Sequence, residues 1–247
     1  MWLVLCSTND TSALWAYHGL RQLGVAPLEL VTGESLSIGC KWEHRLDRGD
    51  IQFKLTLSDG RVLCSSRIRG ALNRLFGPPP EVSQCAVPSD RDYAQAEWFA
   101  FYASWLNGLP GVVINRPTAL CLGGPWYHAS EWVFRASRSG FNTPNYRLSG
   151  HARPEDGYAS LAPAGASTAI VIVLRGRVFG AALPDDVVRA CSNLADDVRT
   201  GLLGITLYLG SDGHWIFAGA TASPDLMIGG LPFLRCLAEA FTKGEPS

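Results

Sequence analysis

Side chains able to do chemistry are spread unevenly along this 247-residue chain. Arg67, Arg69 and Arg74 crowd around Gly70 and Leu72. A guanidinium offers a planar fork of donors that suits phosphate or carboxylate. The cluster therefore reads either as an anion site or, preferably, as a solvated basic edge with one structural arginine turned inward. Glu97 sits in Glu97-Trp98-Phe99-Ala100-Phe101, where burial would oblige a carboxylate to find a partner. Asn115-Arg116-Pro117 closes a short apolar run, the position at which α/β sheets hold ligands. Asp225 is the acid that follows His214-Trp215-Ile216-Phe217-Ala218-Gly219-Ala220-Thr221-Ala222-Ser223-Pro224, and a lone acid is a poor divalent-metal site. With Arg147, the candidate ligand-binding set is Arg74, Glu97, Asn115, Arg116, Arg147 and Asp225.

No residue of the chain reads as a catalytic nucleophile or a metal ligand. The histidines (18, 44, 128, 151 and 214) lack ligand spacing, and no G-x-S-x-G elbow occurs. His214, beside the Ser211-Asp212-Gly213 turn, is expected to face solvent. The seven cysteines are scattered without a C-x-x-C pair, which predicts free thiols in a reducing compartment. A formal charge of −1 excludes a general nucleic-acid surface. With 47% hydrophobic and 17% charged residues the composition is that of a globular chain with a sizeable core. The start, Met1-Trp2-Leu3-Val4-Leu5-Cys6, lacks a basic n-region and turns polar at once, so neither a signal peptide nor a membrane span is expected. The expected location is the cytoplasm.

The elements that must position these side chains are read from periodicity. Residues 2–6 are an unbroken apolar run, as in a strand buried on both faces. Ser12 is an available N-cap, Ala13, Ala16, Tyr17, Leu20 and Leu23 follow at helical spacing, and Gly24 ends the helix. A second strand at 27–31 makes a strand–helix–strand opening. Phe53, Leu55 and Leu57 alternate towards an Asp59-Gly60 turn. Ser89-x-x-Asp92 has the form of a capping box before an aromatic-rich helix over about 90–107. A strand at 111–114 and a helix at about 130–139 follow. Gly123-Gly124-Pro125 with Trp126, Tyr127 and His128 reads as a tight loop with packed aromatics rather than a cleft. Residues 149–168 are rich in Ala, Gly, Pro and Ser and read as loop or linker. Beyond it, two hairpins turn at Arg175-Gly176 and at Ser211-Asp212-Gly213. Between them a helix with Pro184 at its first position presents Val187, Val188, Cys191, Leu194, Ala195 and Val198. The last helix turns Leu234, Leu237, Ala238 and Phe241 inward.

In order and local wording the chain resembles the ATP-grasp superfamily, in its RimK-like peptide and amino-acid ligase branch. The resemblance is carried by DRDYAQAEWFAFYASWLNGLPGVVINRPTAL, EWVFRASRSGFNTPNYRLS, IVIVLRGRVFGAALPDD and GITLYLGSDGHWIFAGATASPDL. It implies a ligase that activates a carboxylate as an acyl phosphate with ATP and magnesium before an amine attacks. It also implies an Arg–Glu ion pair at Glu97, with Arg74 or Arg116 as partner, in a structural role. The expected magnesium and phosphate ligands fail to appear. No lysine lies between Lys54 and Lys243, Thr206 stands where an acid belongs, and Phe217 to Ala222 contains neither Glu nor Asn. The stretch between Leu148 and Ala169 is short for a nucleotide lid. Arginine can replace lysine against phosphate but cannot replace an anionic oxygen ligand of magnesium.

These readings predict an α/β (α+β) chain. A parallel-sheet, pre-ATP-grasp-like domain occupies 1–118, a helix and linker with a reduced lid occupies 119–168, and a truncated ATP-grasp-like antiparallel sheet with helices occupies 169–247. The preferred function is a degenerate, non-ligating ATP-grasp-fold protein that needs no cofactor. It would bind a peptide, a small ligand or a partner enzyme, with peptide modification as the setting. Neither nucleic acid nor membrane is an expected partner, and the eight tryptophans leave room for a homo-oligomer surface. The alternative is an ATP- and Mg-dependent carboxylate–amine ligase with non-standard residues.

Overall fold

The computed structural model describes residues 1–37, 40–47, 50–146 and 161–242. The chain divides into two compact units, one of Met1–Gly124 with the segment from Leu234 onward, the other of Pro125–Phe233.

The first unit is built on four parallel strands. They are β1 (Trp2–Cys6), β2 (Leu28–Thr32), β6 (Gly70–Asn73) and β7 (Val112–Ile114), in the order β2-β1-β6-β7. All five residues of β1 are buried, as its unbroken apolar run requires of a central strand. Helix α1 (Thr11–Gln22) follows β1. Its N-cap is Asp10, whose carboxylate accepts from the Ala13 N–H at 2.9 Å, so the expected Ser12 cap is corrected to a residue two places earlier. Ser12 itself is buried. At the other end Gly24 adopts φ +84°, while Val25 N–H reaches Leu20 O and Gly24 N–H reaches Arg21 O. This double closure needs a left-handed residue, and glycine supplies it without steric cost.

Between β2 and β6 stands a separate antiparallel sheet of β3 (Lys41–Asp47), β4 (Asp50–Thr56) and β5 (Val62–Cys64), in the order β3-β4-β5. After β6 comes the short helix α2 (Glu81–Gln84), then α3 (Arg91–Asn107). The expected Ser89–Asp92 capping box does not form. Asp90 is the N-cap residue without a side-chain cap bond, and the Ser89 hydroxyl donates to its carboxylate at 2.9 Å. Tyr102, Trp105 and Leu106 of α3 pack into one core with Leu3 and Leu5 of β1, Ala71 of β6, and Phe53 and Leu55 of β4. The Tyr102 hydroxyl, buried there, donates to Leu36 O at 2.7 Å. On the other face of the parallel sheet, Trp2 stacks on Phe241 of the terminal helix with centroids 4.9 Å apart.

In the second unit α4 (Ala129–Ser139) precedes β8 (Thr168–Leu174), β9 (Arg177–Gly180), α5 (Asp185–Asp197), β10 (Leu202–Leu209) and β11 (Trp215–Thr221). The strands form an antiparallel sheet ordered β11-β10-β8-β9. Pro184 is the N-cap of α5 rather than its first helical residue. Trp132 and Ala136 of α4 and Ala190, Cys191, Leu194 and Ala195 of α5 cover one sheet face, made of Val171, Val173, Leu203, Ile205, Leu207 and Phe217. Helix α4 is therefore part of this unit's core. Helix α6 (Gly230–Thr242) closes the described chain. No helix among the described residues is long and apolar enough to cross a membrane, and every described cysteine carries a free thiol.

Candidate functional site

The C-terminal edge of the parallel sheet is where an α/β unit ordinarily exposes its ligand-binding groups. Here that edge is occupied by internal pairs. Arg74, immediately after β6, places Nε 2.6 Å from Asp10 Oδ2 and Nη2 3.3 Å from Oδ1. Both partners are nearly closed to solvent, with side chains 5% and 12% exposed. One aspartate thus caps α1 and anchors the strand beside it. Asn73, also buried, donates to Asn115 O at 2.8 Å and Leu122 O at 2.6 Å, while its own Oδ1 accepts from Leu75 N–H. Burial and, next, the Asp10 charge push the Cys6 thiol up to about 12, so it is held as a neutral thiol.

The six residues singled out from sequence fall as follows. Arg74 is the inward structural arginine of its cluster, and Arg67 and Arg69 remain exposed. Asn115 is buried. Arg116 is exposed and its guanidinium donates to Asn107 O at 2.9 Å and Gly111 O at 3.2 Å, capping the end of α3. Glu97 is exposed on α3, and no ion pair reaches it among the described residues. The expected Arg–Glu pair is corrected accordingly. Arg74 has taken Asp10, Arg116 has taken backbone carbonyls, and the helix phase turns Trp98, Tyr102 and Trp105 towards the core while Glu97 points away. Glu97 instead lines, with Asp90, Tyr93, Ala94, Trp98, Phe101 and Trp42, a groove of about 520 Å³ beside β3. Arg147 lies outside the described residues. Asp225 is exposed and its Oδ1 accepts from Met227 N–H at 3.0 Å, closing the turn before α6.

The closing strands of the second unit have no charged side chain. Thr206 pairs with Gly219, and Leu207 with Phe217, so Ala218 is the extra residue of a β-bulge. The alternation of β8 and β10 puts Ile170, Ile172, Gly204, Thr206 and Tyr208 on the face away from α4 and α5. Pro224 closes over that face at Gly204, where an added Cβ would lie 2.5 Å from the proline Cβ. The acids at the two ends of β11 are both turn formers. Asp212 accepts from His214 N–H at 3.1 Å as Asp225 does from Met227 N–H, and His214 is exposed as expected. Ser223 Oγ is buried without a hydrogen-bond partner among the described residues, but one hydroxyl is no magnesium cage. No cluster of three His, Cys, Asp or Glu that could hold a metal exists among the described residues. At the start of the unit, Tyr127 packs edge-on to Trp132 at 5.0 Å under the Arg135 guanidinium at 4.5 Å, so the expected packed-aromatic loop is present there. Trp126 is exposed.

A parallel-sheet unit followed by a four-stranded antiparallel sheet backed by two helices is the fold of the ATP-grasp ligases. Among solved structures the chain is similar to macrocyclase MdnC bound with precursor peptide MdnA from Microcystis aeruginosa MRC, at TM-score 0.76 and 11% identity, over 99% of this chain and 100% of that one. It is similar to macrocyclase MdnB of the same organism, at TM-score 0.73 and 11% identity, over 98% of this chain and 99% of that one. It is also similar to a Chryseobacterium gregarium RiPP-associated ATP-grasp ligase in complex with ADP and a leader and core peptide, at TM-score 0.72 and 10% identity, over 99% of this chain and 97% of that one. No protein-family model and no curated protein matches the sequence. The likeness establishes the fold. The described strands β10 and β11 carry hydroxyls at Thr206, Tyr208 and Thr221 and otherwise hydrocarbon, an indole and backbone, with no carboxylate.

Proposed function

We propose that this chain is a peptide-binding protein on an ATP-grasp fold, related to the RimK-like branch, that has lost Mg-ATP ligation and acts in peptide modification. One observation carries the reading. On the β10–β11 pair the position expected to be acidic is Thr206, and Asp212 and Asp225 at the strand ends are spent on turn N–H groups. A divalent ion bridging phosphates needs anionic oxygens in fixed positions. Hydroxyls and apolar side chains do not replace them. The peptide half of the reading draws on the solved neighbours, of which MdnC and the Chryseobacterium ligase carry precursor, leader or core peptides. Free thiols throughout the described chain suit a reducing cytoplasm.

The test is thermal unfolding of the full chain with and without Mg-ATP. A ligand at a hundred times its Kd stabilises the native state by about 2.7 kcal/mol. For a chain of this size that is a shift of about 5–10 °C. The proposal expects no magnesium-dependent shift and no ADP formed. A clear shift together with ADP would establish the alternative, an ATP-dependent carboxylate–amine ligase with unusual ligands.

A further inference from the structure

Strand β3 is the outer strand of its sheet, pairing only with β4 among the described residues, so its other edge presents unpaired backbone groups. Such an edge is a template for another strand. Its side chains alternate cleanly. Lys41, Glu43, Arg45 and Asp47 are exposed on one face, and Trp42 and His44 turn towards α3, where Trp42 meets Phe101 edge-on at 5.0 Å and His44 Nε2 lies 3.1 Å from Ser104 Oγ. Leu46 shares the Trp42 face yet is 64% exposed, an apolar side chain with nothing covering it. Next to Trp42 lies the groove of about 520 Å³ on α3.

We propose that this edge is a homodimer interface, in which β3 pairs antiparallel with β3 of a second copy about a two-fold axis through His44. The sequence Lys41-Trp42-Glu43-His44-Arg45-Leu46-Asp47 is complementary to its own reverse. In that register Lys41 faces Asp47 of the partner subunit, and Glu43 faces Arg45 of the partner subunit. Trp42 faces Leu46 of the partner subunit, which brings that exposed leucine to the mouth of the groove. Six of the seven cross-strand pairs are opposite in charge or apolar, with His44 on the axis facing its own copy, and pairs of this kind stabilise a sheet where like charges oppose it.

Neighbouring registers fail. A slip of two residues in one sense sets Glu43 against its own copy and Lys41 against Arg45. In the other sense it sets Arg45 against its own copy and Glu43 against Asp47. A slip of one puts charged positions opposite the Trp42–Leu46 face. The same patch on both chains, self-complementary about a two-fold axis, is the requirement of an isologous dimer.

The experiment is sedimentation velocity on the full chain and on charge-swap variants, each checked for native circular dichroism. The native chain is expected to dimerise. Glu43→Arg alone and Arg45→Glu alone each create two like-charge pairs and should raise the dimer dissociation constant by about tenfold or more. The double variant Glu43→Arg/Arg45→Glu restores opposite charges and should recover the native constant. Leu46→Lys, at an exposed position, should weaken the dimer without unfolding the chain. A native chain that stays monomeric to about 100 μM, a range that detects stable interfaces, overturns the proposal. So does a dimer indifferent to the single reversals, or a double variant that fails to recover.

Discussion

Replacing Asp10 by alanine removes two things at once, and the structure allows both to be sized. The carboxylate caps α1 through the Ala13 N–H, and losing such a cap costs about 1 kcal/mol. The same carboxylate holds the Arg74 guanidinium, whose side chain is only 5% exposed. Stranding one partner of a buried pair costs about 3–5 kcal/mol. Asp10→Ala should therefore destabilise the chain by about 4–6 kcal/mol, a fall in Tm of roughly 10–20 °C. Arg74→Met keeps the cap and substitutes an apolar side chain for the buried cation. It should cost less than Asp10→Ala. The double variant should cost less than the sum, by about 2 kcal/mol or more, because the two side chains act as one pair. Urea denaturation supplies the four free energies, and amide exchange on Leu3 to Leu5 reports whether the loss is felt at β1. A single-variant cost under about 1.5 kcal/mol, or strict additivity, would refute the assignment of Arg74 to structure and return it to the candidate ligand-binding groups.

Other consequences are equally open to measurement. Burial holds the His44 imidazole below its ordinary pKa. The unfolded chain therefore takes up that proton first: the contribution is whole above about pH 6.5 and is lost as pH falls from there towards the folded pKa. Denaturation between pH 7 and 5 should show a shallower loss for His44→Gln than for the native chain, and identical slopes would exclude the effect. Gly70→Ala should cost about 1–3 kcal/mol by urea denaturation, because its Cβ would run into Val112 O and lie 2.8 Å from the Trp2 ring. Thiol titration should label exposed Cys85 first and Cys191 among the last, since burial pushes the latter up to about 12. Asp225→Ala should change stability by about 1 kcal/mol or less, the worth of a turn hydrogen bond; a large loss would point to a role beyond the turn.

Legibility in the sequence followed the strength of local signals. The run at Trp2–Cys6, the Gly24 stop, the turns at Arg175-Gly176 and Ser211-Asp212-Gly213, and the inward face of α5 are each encoded within a few residues, and each stands where expected. Strand β3 escaped because its alternation is carried by Trp42, His44 and an exposed Leu46 among charges, which reads as polar chain. Strand β6 is only four residues long and sits among arginines. The Asp10–Arg74 pair joins residues 64 apart, beyond the reach of any spacing rule. That the expected Glu97 ion pair is absent among the described residues is not legible, because α3 is apolar around most of its circumference, which leaves its phase unreadable until the core is seen. The lack of acidic residues on the two closing strands is legible from residue types alone, and the structure adds the backbone N–H groups from which Asp212 and Asp225 accept.

The proposed function requires that the closing strands of the second unit hold no divalent ion against a nucleotide. Its most direct test is a crystal grown with manganese and a non-hydrolysable ATP analogue, with anomalous scattering collected at the manganese edge. The account predicts no manganese peak beside Thr206, Ala220 or Asp225. A manganese ion coordinated there and bridging the analogue's phosphates would contradict it.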